Sequence, residues 1–191
     1  MTVRVRQAGL EDAPALAELA AITFPLACPP SSRPADVADF IATHLTEEAF
    51  ERYLGDPQRA LFVAAESPES PDSLGTNGAA GLMAYAMMID RAPQDSDVAA
   101  ILPAGTAIEL SKCYAHPDAH GSGTAARVVR SGLQWAADRG ADLVWLGVND
   151  ENLRAQGFYA KQGFSVAGTK TFKLGKQVEH DFVMVRPTGE P

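Results

Sequence analysis

Residues 107–126 read AIELSKCYAHPDAHGSGTAA, and this stretch decides the architecture. It starts as an apolar strand, passes a short loop at Pro117 and Asp118, and turns on Gly121 and Gly123. A helix follows on which Ala125, Val128, Val129, Leu133 and Ala136 recur at helical spacing. Backbone N–H groups at a helix start lack internal partners and sit at the positive end of the helix dipole. Two glycines let such a turn come close to a phosphate. The segment therefore reads as a strand feeding an anion-binding helix start in an α/β protein.

Two ligand classes suit the turn. Gly121-Ser122-Gly123-Thr124-Ala125-Ala126 loosely matches the dinucleotide fingerprint, and the pyrophosphate of coenzyme A suits it as well. Dinucleotide folds place their glycines directly after the first strand, whereas residues 117–120 intervene here. About seventy residues remain after the turn, too few for a dinucleotide domain and a substrate domain. A hydride-transfer enzyme is thus the weakest reading. A glycine-rich helix cap without any ligand is the plain alternative.

Working outward, residues 143–148 (LVWLGV) form a buried-type strand, and residues 149–164 read NDENLRAQGFYAKQGF. Taken with the glycine turn, these segments resemble the GNAT superfamily of acetyl-CoA-dependent N-acetyltransferases. The first family motif reads here His120-Gly121-Ser122-Gly123-Thr124-Ala125, with His120 where Gln or Arg is usual. Asn152, Ala155, Phe158, Tyr159, Gly163 and Phe164 match the second motif position for position. Trp145 to Val148, Phe172 to Gly175, Asp181 and Met184 look like the bacterial PaiA-type polyamine acetyltransferases. The likeness spans residues 2–186, is specific from Glu109 onward, and is strongest at 106–164.

The resemblance implies a single N-acetyltransferase domain over residues 1–191, α/β in class. Its mixed central sheet has about seven strands flanked by helices and is splayed between the fourth and fifth. Acetyl-CoA is the implied co-substrate, with no metal. Backbone groups of Cys113, Tyr114 and Ala115 would hold the pantetheine. Main-chain N–H groups of Gly121, Ser122, Gly123, Thr124, Ala125 and Ala126 would hold the pyrophosphate, beside His120. Asn152 would anchor the cofactor, and Tyr159 would both contact it and protonate the leaving thiolate. Glutamates on the central strand serve as bases in several members, which points to Glu109. Many members are dimers.

The residues themselves leave alternatives. Asn152 and Tyr159 are seven apart, two helical turns, hence on one face; packing Phe158 and Tyr159 into the core is the plain reading of that helix. Glu109 alternates with Ser111 and Cys113 and so shares their face. It either takes the proton from an amine of pKa about 10.4, binds a cationic acceptor, or pairs with Lys112. His44, His116, His120 and His180 are the other titrating groups.

Bulk composition narrows the classes. A chain of 191 residues, 46% apolar and 21% charged, is ordinary globular protein with a substantial core. A net charge of −8 argues against nucleic acid or an anionic membrane and suits a cationic substrate. Cys28 and Cys113 form neither a disulfide framework nor a metal motif. Free thiols and the implied coenzyme point to the cytoplasm. MTVRVR at the start is not followed by an apolar signal region, and no run reaches roughly eighteen apolar residues, so no membrane span is expected.

Along the chain, residues 3–7 alternate as a strand. Glu11 and Asp12 lie in the first turn of a helix carrying Leu16, Leu19 and Ala20. Residues 24–33, with three prolines, read as a loop. Pro34 opens a second helix, and Thr46 caps a third over 47–54. Strands follow at 61–66, 81–89 and 106–115, separated by flexible connections at 67–78 and 92–105. Residues 165–174 and 178–185 close the chain as a hairpin turning at Gly175 and Lys176. The acceptor site is expected between the first helices and this hairpin, where Asp36, Asp39, Glu47, Glu48 and Glu51 concentrate negative charge. The expected reaction is acetyl transfer to a primary amine of a small molecule, best a polyamine. Alternatives are acetylation of a protein N-terminus or lysine, and a non-catalytic acetyl-CoA sensor.

Overall fold

The alternating first segment forms strand β1 (Val3–Gln7) at one edge of a seven-stranded sheet, in a computed structural model that describes residues 3–66, 81–175 and 177–189. Three helices follow, α1 (Ala13–Ala27), α2 (Pro34–His44) and α3 (Glu47–Leu54). Next come β2 (Arg59–Glu66), β3 (Leu82–Ile89), α4 (Ser96–Ile101), β4 (Ala107–Ala115) and α5 (Thr124–Asp138). The chain finishes with β5 (Leu143–Asn149), α6 (Leu153–Lys161), β6 (Ser165–Leu174) and β7 (Gln177–Pro187). Sheet order is β1-β2-β3-β4-β5-β7-β6. The β4/β5 pair is parallel and the other neighbours are antiparallel.

Local chemistry sets the helix ends. Thr46 Oγ1 accepts from the Ala49 N–H at 3.2 Å, capping α3 as its sequence anticipates. Asp12 sits ahead of α1 rather than inside it. Its carboxylate accepts from the Gly9 N–H at 2.9 Å and from Arg6 at 2.6 and 2.7 Å. Two loop expectations are corrected. α1 continues through Pro25 to Ala27, because buried Phe24 stacks on Phe40 with ring centroids 4.5 Å apart and holds the last turn in place. Within 92–105, Asp95 accepts from the Asp97 N–H at 2.9 Å and starts α4. Val98 of that helix is fully buried against Leu143, Trp145 and Val183. The connection at 67–78 lies outside the described residues.

Period-two alternation splits the sheet's side chains between two cores. Phe62, Ala64, Ala84, Ala86 and Met88 pack with Val128, Val129 and Ala136 of α5 and Tyr159 of α6. Leu61, Val63, Tyr85 and Met87 pack with Leu16, Leu19 and Phe24 of α1 and Phe50 of α3.

Two irregularities in β4 build the site. Its pairing with β5 runs only over Ala107↔Leu143, Ile108↔Val144 and Glu109↔Trp145. Both strands continue past that point, so the sheet splays open between them. A bulge also breaks the β3/β4 register between Met87 and Met88. Ile108 and Leu110 join the α5 core, and past the bulge Cys113 and Ala115 join it too, while Tyr114 packs on the α1 side. The expected shared face of Glu109 and Cys113 is therefore corrected: the extra residue turns Cys113 to the opposite face.

Candidate active site

The splay between β4 and β5 holds a cavity of about 280 Å³. Glu109, Cys113 and Tyr114 of β4, Asn152 and Tyr159 of α6, and Phe24 of α1 contribute to its walls. Pairing geometry decides which backbone groups face it. The His116 N–H bonds Met83 O at 2.8 Å, on the same ladder as Tyr85↔Tyr114. Antiparallel strands alternate, so Tyr114 turns its main chain toward β3 while Cys113 and Ala115 turn theirs to the open side. Of the three backbone positions expected to line the gap, two do so. Ala115 O already meets His120 Nε2 at 3.2 Å.

Tyr159 is buried, its ring packed against Phe158 and Phe164. Its hydroxyl is hydrogen-bonded to the Cys113 thiol. Burial holds the phenol protonated well above its usual range, and the same burial pushes the Cys113 thiol up to about 12 against the lowering pull of Tyr159. Asn152 is the cap of α6: its Oδ1 accepts from the Ala155 N–H at 3.0 Å, which leaves the amide nitrogen for the cavity it lines. Asparagine ahead of a helix is a favoured cap, a signal present in the sequence.

Across the cleft, Glu109 is raised by burial, opposed first by the Lys112 cation and then by a hydrogen bond with Ser111. Lys112 is lowered to about 8 by burial, opposed by Glu109. Deeper along β6 and β7, Lys170 Nζ lies 3.5 Å from Asp181 Oδ2, and burial raises Asp181 against that partner. A Cβ at Gly147 would stand 2.7 Å from Lys170 Cε, so the bare glycine of β5 admits this pair. Lys112 and Lys170 were not singled out as site residues by sequence reasoning. Their signal is scarcity: the chain has five lysines against eleven arginines.

The glycine turn is built for a negative charge. Gly121 and Gly123 have φ of +79° and +80°, and nothing lies within 4 Å of the place a Cβ would occupy at either. The first bond of α5 runs from the Arg127 N–H to Gly123 O at 3.2 Å, so the amides before it have no intrahelical carbonyl. Side chains here serve the loop itself. Ser122 Oγ donates to Ala119 O at 2.6 Å and accepts from the Thr124 N–H at 3.2 Å. Thr124 is buried, and Ala125 and Ala126 are half-buried. The Ser122 N–H is also taken, by Ala119 O at 3.3 Å, so the backbone donors left open to a pyrophosphate are those of Gly121, Gly123, Ala125 and Ala126.

A second cavity, about 480 Å³, adjoins the first and shares Phe40, Lys112 and Phe172 with it. Asp36 and Asp39 line it, as do His44 and Tyr53. Of the five carboxylates expected around the acceptor, these two reach a cavity, while Glu47, Glu48 and Glu51 stand exposed on α3. His116 Nδ1 accepts from the Asp118 N–H at 3.3 Å in the turn after β4, and the ring of His44 lies 4.7 Å from that of Phe40.

Similarity to known proteins follows this geometry. Residues 27–164 match the model of the acetyltransferase (GNAT) family. Uncharacterized N-acetyltransferases of Mycobacterium bovis and Mycobacterium tuberculosis are 43% identical over 177 residues, covering 93% of this chain and 98% of theirs. The fold is shared with a PaiA N-acetyltransferase of Thermoplasma acidophilum solved with coenzyme A (TM-score 0.73, 16% identity, 98% of this chain and 99% of that one). It is also shared with the ribosomal-protein-S18-alanine N-acetyltransferase of Escherichia coli (TM-score 0.65, 14% identity, 100% and 96%). With a sheet open between its parallel strands, a glycine cradle at a helix start and a family match over most of its length, this chain belongs to the GNAT family of acetyltransferases.

Proposed function

We propose that this enzyme moves the acetyl group of acetyl-CoA to a primary amine of a small molecule, with a polyamine such as spermidine or spermine as the best acceptor. The observation that carries the reading is the free edge of β4 past Glu109, facing a cavity that Tyr159 helps to line. The residues present fit coenzyme A. Open-edge groups of Cys113 and the Ala115 N–H suit an extended pantetheine arm, Asn152 retains two donors, and the amides of Gly121, Gly123, Ala125 and Ala126 suit a pyrophosphate, those of Ser122 and Thr124 being bonded within the loop. That the Thermoplasma neighbour holds coenzyme A supports this assignment. Bound there, acetyl-CoA supplies an activated thioester.

Glu109, inside the cleft, accepts the proton of the attacking amine directly or through a water; its raised affinity for protons suits that task. Tyr159 gives a proton to the leaving thiolate. Cys113 gauges what this environment does to a thiol: it is pushed up to about 12 by the burial that also raises Tyr159. A leaving thiolate at the same place becomes a stronger base, so the raised phenol still matches it. Carboxylates at both ends of the paired cavities, with Phe40 and Phe172 between, suit a chain of cations joined by methylenes. The two free thiols and the donor fit a cytoplasmic enzyme.

The test is coenzyme A release across spermidine, spermine, short diamines, amino acids, aminoglycosides and lysine peptides, with Tyr159→Phe beside the wild type. Polyamine turnover falling at least about tenfold in the variant is expected. Turnover with peptides alone moves the assignment to a protein acetyltransferase. Tight acetyl-CoA binding without turnover on any acceptor replaces it with a sensor.

A further inference from the structure

We propose that Lys112 is itself an acetyl acceptor: with no free amine at hand the enzyme acetylates this side chain, which then obstructs the junction of its two cavities. The inference rests on the acetyl-CoA reading above.

Placement comes first. Among the described residues, Lys112 is the lysine that lines both cavities. Its Nζ lies 5.8 Å from the centroid of the Tyr53 ring, and its charge partner is Glu109, the proposed base. A primary amine on a four-carbon stem, among aromatic rings and lining the same cavity as that carboxylate, is chemically half of a polyamine already in place. Acetylation also needs the neutral amine. Burial lowers Lys112 to about 8, and the nearby Arg59 cation adds to the lowering while Glu109 opposes it. At pH 7 its neutral fraction is on the order of a hundred times that of an exposed lysine. Lys170 lines the first cavity too, but its Nζ is engaged by Asp181 at 3.5 Å. Lys173 lies on the second cavity's exposed side, and Lys161 ends α6 away from both.

The step balances without another reactant. A Lys112 proton passes through a water to Glu109, and the freed lone pair of Nζ attacks the acetyl carbonyl. The C–N bond forms, the C–S bond breaks, and the thiolate leaves with a proton from Tyr159. Once amidated, Lys112 carries no charge and more bulk, so Glu109 loses its cation and Phe40 and Phe172 face a narrower passage.

The experiment incubates the intact protein with acetyl-CoA and no acceptor, then maps acetylated peptides by mass spectrometry over time. Coenzyme A release with spermidine is measured on the same preparation. Expected are one acetyl group per chain, found at Lys112 and at least about tenfold ahead of Lys161 and Lys173, slower accumulation in Glu109→Gln, and protection by spermidine. Lys112→Arg is expected to abolish the adduct, with a melting curve confirming that it folds. Spermidine turnover with an unmodified Lys112 overturns this inference and leaves the acetyltransferase reading standing. Equal labelling of Lys112, Lys161 and Lys173 also overturns it, as solution chemistry. Neither turnover nor label overturns both.

Discussion

Lys112 sits in an environment far from what its type prefers. An ammonium group in the cleft pays for lost hydration, and Glu109 returns only part of that. The sign follows from linkage. Its folded value of about 8 lies below the ordinary 10.5. Its contribution to stability is therefore whole above 10.5 and is lost as the pH falls through 8, because the folded state must then charge a buried amine. Lys112→Met should gain on the wild type as the pH drops. The shift sets a ceiling of roughly 3 kcal/mol, and stranding Glu109 trims the gain to about 1–2 kcal/mol. Urea unfolding at about pH 7 and about pH 10 measures it; a difference that does not vary between the two would refute the buried-amine account.

At the level of elements, the glycine turn and the bulged strand carry the site, and they differed in how well they could be read. Gly121 and Gly123 announce themselves, since a left-handed backbone beside an open space has few other residue choices. Gly123→Ala should cost about 1–2 kcal/mol of backbone strain. It should also weaken acetyl-CoA binding by at least about tenfold, as the new methyl enters the cradle. Calorimetric titration beside a thermal melt separates the two, and full affinity in a destabilised protein would count against the cradle. The Asn152–Phe164 segment was legible through its likeness to the second family motif, whereas the capping of α6 by Asn152 was not read from the sequence. The bulge in β4 was not, because an extra residue leaves no mark in an apolar alternation; Glu109 and Cys113 looked like face-mates for that reason. α1 outran its expected end because the grip of Phe24 on Phe40 is a tertiary contact, invisible beside a local proline signal. Lys170 and Asp181 meet only when β6 and β7 pair.

For the whole molecule, the sheet is two blocks, β1 to β4 and β5 to β6, joined side by side over Ala107 to Glu109 and Leu143 to Trp145. A ligand lying in the gap touches both. Acetyl-CoA at a hundredfold excess over Kd adds about 2.7 kcal/mol, which for a chain of this length raises Tm by roughly 5–10 °C. Amide exchange should slow in residues 110–115, in the 121–126 turn and in β5 together; slowing confined to the turn would mean that the pantetheine does not lie along β4. The net charge of −8 adds a long-range attraction for polycations that salt weakens. The same seam has a mechanical side. Its ends lie in opposite blocks, β1 on the far edge of one and β7 within the other, so a tug between the termini loads the short parallel join. A chain threaded or dragged by its ends would tear first along the line where its substrates meet, and an occupied cleft would rivet that line shut.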